Sequence, residues 1–326
     1  MAGDAALLIL GLALLIGGAD GMVRGAVGLS LRFRVPAMVV SLTVVAAGTS
    51  APELVISARA VADGLPGLAL GNVIGSNIAN VLLVIGLPAL ISGFAEPDGD
   101  TRRGYLWMLA ATALFSAFLL HGRVPAWGAV LLLAMLVAML TDSVRGALAG
   151  RTRPEAPVAP RRPDAGEDRG GTPLADPAAP AWRHVLMIAL GVAGLAIGAD
   201  LLVDAAARIA AGLGVGPVVI GLSIVAIGTS LPELATAVAA GLRGRGDVAL
   251  GNVIGSNIFN LLGIVGVAAL VGPLTVPDRI AGLDLWVLWA VTLALAPLAL
   301  AGHPLGRRAG LGLTGCYILY LVTLSG

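Results

Sequence analysis

The sequence has few charged residues, no lysine and a single cysteine. Only 12% of its 326 residues are charged, whereas about a quarter are charged in soluble domains. With 58% hydrophobic residues and a mean hydropathy of +0.96, the chain falls outside the range of soluble proteins and belongs in a lipid bilayer. Cys316 alone permits neither an intrachain disulfide nor a thiolate metal cluster. The net charge of +1 gives no indication of a nucleic-acid partner.

Two segments of the sequence occur twice, 180 residues apart. The residues GTSAPEL at 48–54 return as GTSLPEL at 228–234, and ALGNVIGSNI at 69–78 returns unchanged at 249–258. Such agreement within apolar sequence, where Leu, Val and Ala interchange freely, indicates an internal duplication. Each copy of the first segment places an acid, Glu53 or Glu233, beside a proline in an apolar run. A charged group is costly there, so each acid indicates a functional site.

Apolar runs of about 20 residues predict ten transmembrane helices, five on each side of a polar segment. The first five spans are Ala5–Leu29, Pro36–Ala62, Leu65–Ile91, Gly104–Leu120 and Val124–Leu140. The last five are His184–Ala211, Gly216–Leu242, Asp247–Val271, Gly282–Ala301 and Ala309–Leu324. We therefore predict an all-α polytopic membrane protein, with residues 1–141 as the first five-helix repeat and residues 184–326 as the second.

The polar segment between the repeats and the placement of arginine predict the topology. Residues 142–183 are rich in Pro and Arg and have no hydrophobic period, which is typical of a disordered linker. With the N-terminus outside, 16 of the 20 arginines fall on the inner side, so both termini are predicted outside and the linker cytoplasmic. Because five is odd, the second repeat enters the membrane inverted. Inverted repeats are typical of secondary transporters, whose sites lie at the midplane on broken helices.

The first repeated segment has the features of such a broken helix. Pro52 lacks the N–H that would bond to the carbonyl of Gly48, and the second copy repeats this pair. Carbonyls freed in this way lie at the negative end of a half-helix dipole, which suits a cation. Glu53 and Glu233 follow directly after the two breaks, with Thr and Ser side chains on the same helix face.

The second repeated segment adds further oxygen atoms. Ser76 and Asn80 are four residues apart and share one helix face, as do their repeats. Hard cations take roughly six to eight oxygen ligands, whereas Zn²⁺ and copper prefer imidazole or sulfur, so the set favours Ca²⁺ and Na⁺. The predicted cation ligands are Ala46, Thr49, Ser50, Glu53, Ser76 and Asn80 in the first half and Ala226, Thr229, Ser230, Glu233, Ser256 and Asn260 in the second.

Other polar residues in the spans leave alternatives open. Four asparagines of the repeats are either ligands or partners in interhelical hydrogen bonds: Asn72, Asn77, Asn252 and Asn257. For Asp20 and Asp200 we favour a structural or access-path role over direct cation binding. His121, His184 and His303 lie at the ends of predicted spans, where interfacial anchoring is the better interpretation.

The combination of GTSAPEL with GNVIGSNIAN, and of GTSLPEL with GNVIGSNIFN, resembles the paired alpha-repeat motifs of the calcium/cation antiporter superfamily, in particular the prokaryotic sodium/calcium exchangers. The resemblance covers the whole chain outside the linker. It implies exchange of Ca²⁺ for Na⁺ by alternating access, in which the first and sixth spans slide past a fixed core. By motif position it implies the same twelve ligands.

One position departs from the family pattern. Many members carry Asp where this chain has Asn260, so two central carboxylates remain. Two carboxylates balance one Ca²⁺ or two protons, whereas three Na⁺ would leave the site with a net positive charge in a medium of low dielectric. Exchange of Ca²⁺ for protons by the same two glutamates is therefore the alternative function.

The sequence thus predicts a secondary antiporter of a prokaryotic inner membrane that works as a monomer and needs no cofactor. Ca²⁺ and Na⁺, or H⁺, are its substrates. A cation channel is a rival of another class, but channels are commonly built as oligomers around a pore, which a closed internal duplication does not require. An enzyme is not expected, because the spans supply no nucleophile with a nearby base.

Overall fold

The computed structural model describes residues 2–93, 99–150, 174–176, 178–214, 228–277 and 280–325. In the first half, α-helices cover Ala2–Phe33, Ala37–Val40, Ala46–Thr49, Ala51–Ala62, Pro66–Ala79, Gly86–Ser92, Gly99–Leu120 and Ala126–Gly150. In the second half they cover Ala181–Gly212, Leu231–Leu242, Gly246–Ile258, Val265–Val271, Leu285–Ala294, Ala296–Ala301 and Arg307–Ser325. Short π-helical segments join some of these pieces at Ser41–Val45, Asn80–Ile85, Phe259–Ile264 and Ile280–Asp284.

Seven helices within the described residues are long and apolar enough to cross a membrane, and a bent pair adds an eighth span. The pair consists of Ala37–Thr49 and Ala51–Ala62, which meet at an angle of 44°. These spans confirm an all-α polytopic membrane fold. Part of the predicted span Gly216–Leu242 lies outside the described residues, and its remainder is the short apolar helix Leu231–Leu242. The predicted span Ala309–Leu324 falls on helix Arg307–Ser325, which is not among the eight.

The helix that begins at Ala126 is longer than its apolar run. It continues through Gly150, into the segment 142–183 that the sequence predicts to be disordered. Asp142 accounts for the extension, because it forms an ion pair with Arg103 and accepts a hydrogen bond of 2.8 Å from Nε1 of Trp107. Both partners lie on helix Gly99–Leu120, so a tertiary contact continues the helix beyond its apolar part. Residues 151–173 of the predicted linker lie outside the described residues.

Two long helices, Ala2–Phe33 and Ala181–Gly212, pack against each other in antiparallel fashion. Glycines meet at the contact: a Cβ on Gly11 would lie 2.8 Å from the carbonyl oxygen of Gly198, and a Cβ on Gly191 would lie 2.7 Å from that of Gly18. Small residues allow helix backbones to approach closely in lipid, where no hydrophobic force drives helices together. This pair is called the glycine-contact pair below.

The repeated sequence GNVIGSN lies on the two most buried spans. In the most apolar 18 residues of Pro66–Ser92 and Gly246–Val271, 72% and 78% are buried inside the protein, against at most half in the other five long apolar helices. Each changes from α to π geometry at the end of its motif, at Asn80 in the first and Phe259 in the second. Such π-helical turns are frequent at functional sites, because they interrupt the regular backbone hydrogen bonding.

Two short connections from different halves meet at one edge of the molecule. Arg123 and Val124 pair with Thr275 and Leu274 as two antiparallel strands. The backbone N–H of Val276 also donates a hydrogen bond of 3.1 Å to the carbonyl of Gly122. The loop after helix Gly99–Leu120 and the loop after helix Val265–Val271 therefore lie on the same side of the helical bundle.

Candidate functional site

The repeated GTSxPE segment interrupts a helix in the first half and leads into a new helix in the second. Helix Ala46–Thr49 ends at Ser50, whose backbone leaves the helical range with ψ near 2°, and Ala51–Ala62 resumes with Pro52 in its first turn. Ser230 has the same conformation, with ψ of 5°, before helix Leu231–Leu242. Each new helix carries its acid in the first turn, where the positive end of the helix dipole favours a negative charge.

The break leaves the carbonyl of Ala46 less free than the sequence predicts. Its oxygen accepts hydrogen bonds from the N–H of Ser50 at 3.0 Å and from the hydroxyl of Thr49 at 3.3 Å. The physical reason is that Pro52 removes only its own N–H, whose partner four residues earlier would be Gly48. A cation that uses the Ala46 carbonyl would compete with the Thr49 hydroxyl.

The two acids are buried close together, each in the first turn of its helix. Glu53 is 1% exposed and Glu233 is 0% exposed, and their carboxyl groups lie near enough to interact electrostatically. The hydroxyls of Thr49 and Ser50 lie beside the Glu233 carboxyl. Within the described part of the chain, neither oxygen of Glu233 has a hydrogen-bond partner of ordinary geometry, and Oε2 of Glu53 has none either. Buried charge without partners is costly, which makes this pair suited to a cation.

Further buried polar atoms without a partner concentrate on the predicted ligands. Most buried polar groups in folded proteins are hydrogen-bonded, so such a concentration is unusual. As far as the described residues extend, these atoms include Oγ of Ser50, Ser76 and Ser230, Oδ1 of Asn80, and both amide atoms of Asn260. Their hydroxyl and amide oxygens are the ligand type that hard cations take.

Contacts between the two halves bring several of these residues together. The hydroxyl of Thr49 lies 3.3 Å from that of Ser256 and donates a hydrogen bond of 3.2 Å to Oδ1 of Asn252. The amide nitrogen of Asn80 donates a hydrogen bond of 3.1 Å to Oδ1 of Asn257. Ligands predicted on the first half thus face helix Gly246–Ile258 of the second, which carries the repeated motif.

Not every predicted ligand is placed by these contacts. Ala226 lies outside the described residues, and Thr229 is only partly buried. Among the residues that the structure describes, no three His, Cys, Asp or Glu side chains form a cluster that could hold a metal. A cation at the two glutamates would therefore draw its other ligands from hydroxyl, amide and carbonyl oxygens.

The asparagines left open by the sequence make hydrogen bonds. Asn252 and Asn257 bond across the halves, as described above, and Asn72 donates a hydrogen bond of 3.0 Å to the hydroxyl of Ser57 on a neighbouring helix. Asn77 instead bonds to its own helix, with its amide nitrogen 2.7 Å from the carbonyl of Val73. The interhelical interpretation is therefore confirmed for Asn72, Asn252 and Asn257.

The structure supports the predicted role of Asp20 but not that of His184. Asp20 forms ion pairs with Arg24 on its own helix and with Arg243 after helix Leu231–Leu242, which supports a structural role. Sequence reasoning missed Arg243, because the duplication matches it with Asp63 and gives no sign of a basic partner. The anchoring interpretation of His184 is wrong: its side chain is buried against Gly28 inside the glycine-contact pair.

The chain is similar to known proteins over nearly its whole length. The family described as sodium/calcium exchanger protein matches residues 4–143 and 183–326. Sodium/calcium exchanger MaX1 from Methanosarcina acetivorans is 33% identical over 349 residues, covering 98% of this chain and 97% of that protein. Inner membrane protein YrbG from Escherichia coli is 34% identical over 327 residues, covering 98% and 96%. A structure of the sodium-calcium exchanger NCX_Mj, soaked with 10 mM Na⁺ and zero Ca²⁺, matches with a TM-score of 0.80 and 30% identity over 98% of both chains.

Proposed function

Since the chain belongs to the sodium/calcium exchanger family, whose members are cation antiporters and not enzymes, we propose that it exchanges Ca²⁺ for Na⁺ across a membrane by alternating access. The observation that carries this proposal is the pair of buried glutamates, Glu53 and Glu233, each in the first turn of a helix and close enough to interact electrostatically. Two carboxylates balance the charge of one Ca²⁺. Because Na⁺ uses the same two carboxylates, Ca²⁺ and Na⁺ compete for their oxygens. This competition couples the two fluxes.

The ligand set is the twelve residues predicted from the sequence, with the two glutamates shared by either ion. The buried hydroxyls and amides around them supply neutral oxygens, as the flexible coordination of Ca²⁺ requires. The contact between Thr49 and Ser256 supports a site built from both halves. In alternating access, the glycine-contact pair moves past the two motif-bearing spans and opens the site to one side at a time.

We further propose that residues 1–141 and 184–326 are inverted repeats of five spans each, with both termini outside and the linker cytoplasmic. The paired strands at Arg123 and Thr275 support this topology, because it places both loops on the outer side. An inner-membrane location is supported by the similarity to YrbG, which is named an inner membrane protein.

Exchange of Ca²⁺ for protons remains the second candidate. It is favoured by Asn260, which places a neutral amide where a third carboxylate would offset the charge of additional Na⁺. In this version, protons rather than Na⁺ neutralise Glu53 and Glu233 on the return step. The positions of the ligands would be the same.

Uptake of ⁴⁵Ca²⁺ into proteoliposomes separates the two candidates. Purified protein is reconstituted with an outward Na⁺ gradient in one set of vesicles and an outward proton gradient in another. We expect uptake only with the Na⁺ gradient. Uptake driven by protons alone would exclude Na⁺ coupling, and no uptake in either set would exclude Ca²⁺ antiport.

Replacing one shared carboxylate tests the site itself. Glu53→Gln should abolish ⁴⁵Ca²⁺ uptake while the protein stays folded, because the amide keeps the shape and removes the charge. Asp63→Asn is the matched control, since Asp63 ends the same helix with 61% of its side chain exposed. Retained exchange in Glu53→Gln, with the control equal to wild type, would contradict the assignment of the site.

A further inference from the structure

Asn257 is buried beside the proposed cation site, and its amide nitrogen lies near two groups that can only accept hydrogen bonds. Its nitrogen lies 3.5 Å from the backbone carbonyl of Asn77 and 3.7 Å from the sulfur of Met108. Its oxygen accepts the hydrogen bond of 3.1 Å from the amide nitrogen of Asn80. Asn257 is 1% exposed, so water does not offer these atoms alternative partners.

These contacts determine which way both amides point. A carbonyl oxygen and a thioether sulfur can only accept hydrogen bonds, so the side of Asn257 that faces Asn77 and Met108 is the nitrogen. The oxygen of Asn257 then faces Asn80 and requires a donor there. Asn80 supplies its nitrogen, which turns its own Oδ1 to the opposite side. That oxygen is buried and has no hydrogen-bond partner in the described part of the chain.

We propose that Asn257 is a positioning residue that holds the carbonyl oxygen of Asn80 toward the transported cation. The proposal rests on the proposed function, in which Asn80 is a cation ligand. Without the hydrogen bond to Asn257, the Asn80 amide can turn its nitrogen toward the cation, and an N–H donor repels a positive charge. Outer-shell partners of this kind typically change metal affinity by about 10- to 100-fold.

The duplication shows that this arrangement is specific to one half. The equivalents of Asn257 and Asn80 are Asn77 and Asn260. Asn77 donates to the carbonyl of Val73 on its own helix, and both amide atoms of Asn260 lack a partner within the described residues. In this conformation, Asn80 is oriented by the other half and Asn260 is not.

Equilibrium binding of ⁴⁵Ca²⁺ to the purified full chain in detergent tests the proposal. Asn257→Leu should weaken Ca²⁺ binding about 10-fold or more. Thr112→Val is the control, because it removes a buried hydroxyl that donates to the carbonyl of Met108 on its own helix, and it should leave the affinity unchanged. Where Asn257→Leu does not fold, Asn257→Ala, which only removes atoms, takes its place.

A second background separates orientation from structural damage. In Asn80→Asp, both oxygens of the side chain are ligands, so its orientation no longer matters. Adding Asn257→Leu to this background should change the Ca²⁺ affinity by less than about 3-fold, which is the non-additivity expected of coupled residues. An equal loss in both backgrounds would show that Asn257 only supports the structure and would overturn the proposal.

The wild-type titration distinguishes the remaining outcomes. Wild-type protein that binds Ca²⁺ with the same affinity as Asn257→Leu would overturn the positioning role and leave the proposed exchange intact. Wild-type protein that does not bind Ca²⁺ would overturn both.

Discussion

At the scale of single residues, the site combines two buried acids with neutral oxygens that lack internal partners. Glu53 and Glu233 are the only carboxylates that the described residues place directly after the two GTS segments, and hydroxyl and amide groups surround them. With one Ca²⁺ bound, a site with this charge would be neutral. Further Na⁺ would leave positive charge in a medium of low dielectric, where it is costly.

A third acid at the site should therefore favour the binding of Na⁺. Asn260→Asp would lower the charge of the Na⁺-loaded site by one unit, so we expect half-maximal exchange at a lower Na⁺ concentration. The measurement is the Na⁺ dependence of ⁴⁵Ca²⁺ uptake in proteoliposomes. Thr141→Asp is the control, because it adds a carboxylate at an exposed position of helix Ala126–Gly150. An unchanged Na⁺ dependence in Asn260→Asp would show that the charge of the site does not set Na⁺ binding.

The residue types of the site could be predicted from the sequence, but their contacts could not. Duplication and apolar surroundings identified Glu53 and Glu233, because few other causes place the same acid twice in a membrane span. The bond from Thr49 to Asn252 joins residues that are more than two hundred positions apart. It depends on how two helices are positioned along each other, which no motif encodes.

At the scale of helices, two of the contacts that hold the first long helix join it to different parts of the molecule. One is the glycine contact with helix Ala181–Gly212, and the other is the ion pair between Asp20 and Arg243. If the glycine-contact pair moves during transport, the glycines stay together while the ion pair breaks and re-forms. The two contacts therefore lead to different predictions.

Gly18 and its neighbour Gly17 provide a direct test of the glycine contact. A Cβ on Gly18 would lie 2.8 Å from the carbonyl oxygen of Gly191, whereas one on Gly17 would meet nothing within 4 Å. Gly18→Leu should force the helices apart and lower the melting temperature in detergent by several degrees, and Gly17→Leu should melt like wild type. Equal melting temperatures for the two variants would show that the close contact does not stabilise the fold.

The ion pair should show coupling between its partners. Asp20 and Arg243 are each about one-quarter to one-third exposed, so their pairing is worth only about 0.5–1 kcal/mol. Arg243→Gln and Asp20→Asn should each lower the melting temperature slightly, and the double variant should melt close to the single variants. The control is Arg59→Gln, whose pair with Asp63 is largely exposed. Fully additive effects would mean that the ion pair contributes no stability.

The helices themselves were largely predictable, and the exceptions have tertiary causes. Apolar runs predicted most of the spans, because a helix that crosses a bilayer needs a minimum apolar length. They did not give the extension to Gly150, since it depends on Asp142 meeting Arg103 and Trp107. Nor did they give the π-helical turns at Asn80 and Phe259, which share the periodicity of an ordinary apolar helix.

At the scale of the whole molecule, the proposed inversion makes residues that correspond in sequence lie on opposite sides of the membrane. The duplication matches Arg123 with His303, each in the loop before the last helix of its half. The strand pairing instead joins Arg123 to Thr275. The topology therefore predicts that Arg123 and Thr275 lie outside and His303 inside.

Labelling with a membrane-impermeant maleimide tests this arrangement in intact cells. Arg123→Cys, Thr275→Cys and His303→Cys are each introduced into a Cys316→Ser background, which removes the single native thiol. All three positions are exposed, so the side of the membrane decides the labelling. The first two variants should react from outside, and His303→Cys should react only after the cells are opened. Labelling of Arg123→Cys and His303→Cys from the same side would rule out inverted repeats, because the two loops occupy equivalent positions in the duplicated halves.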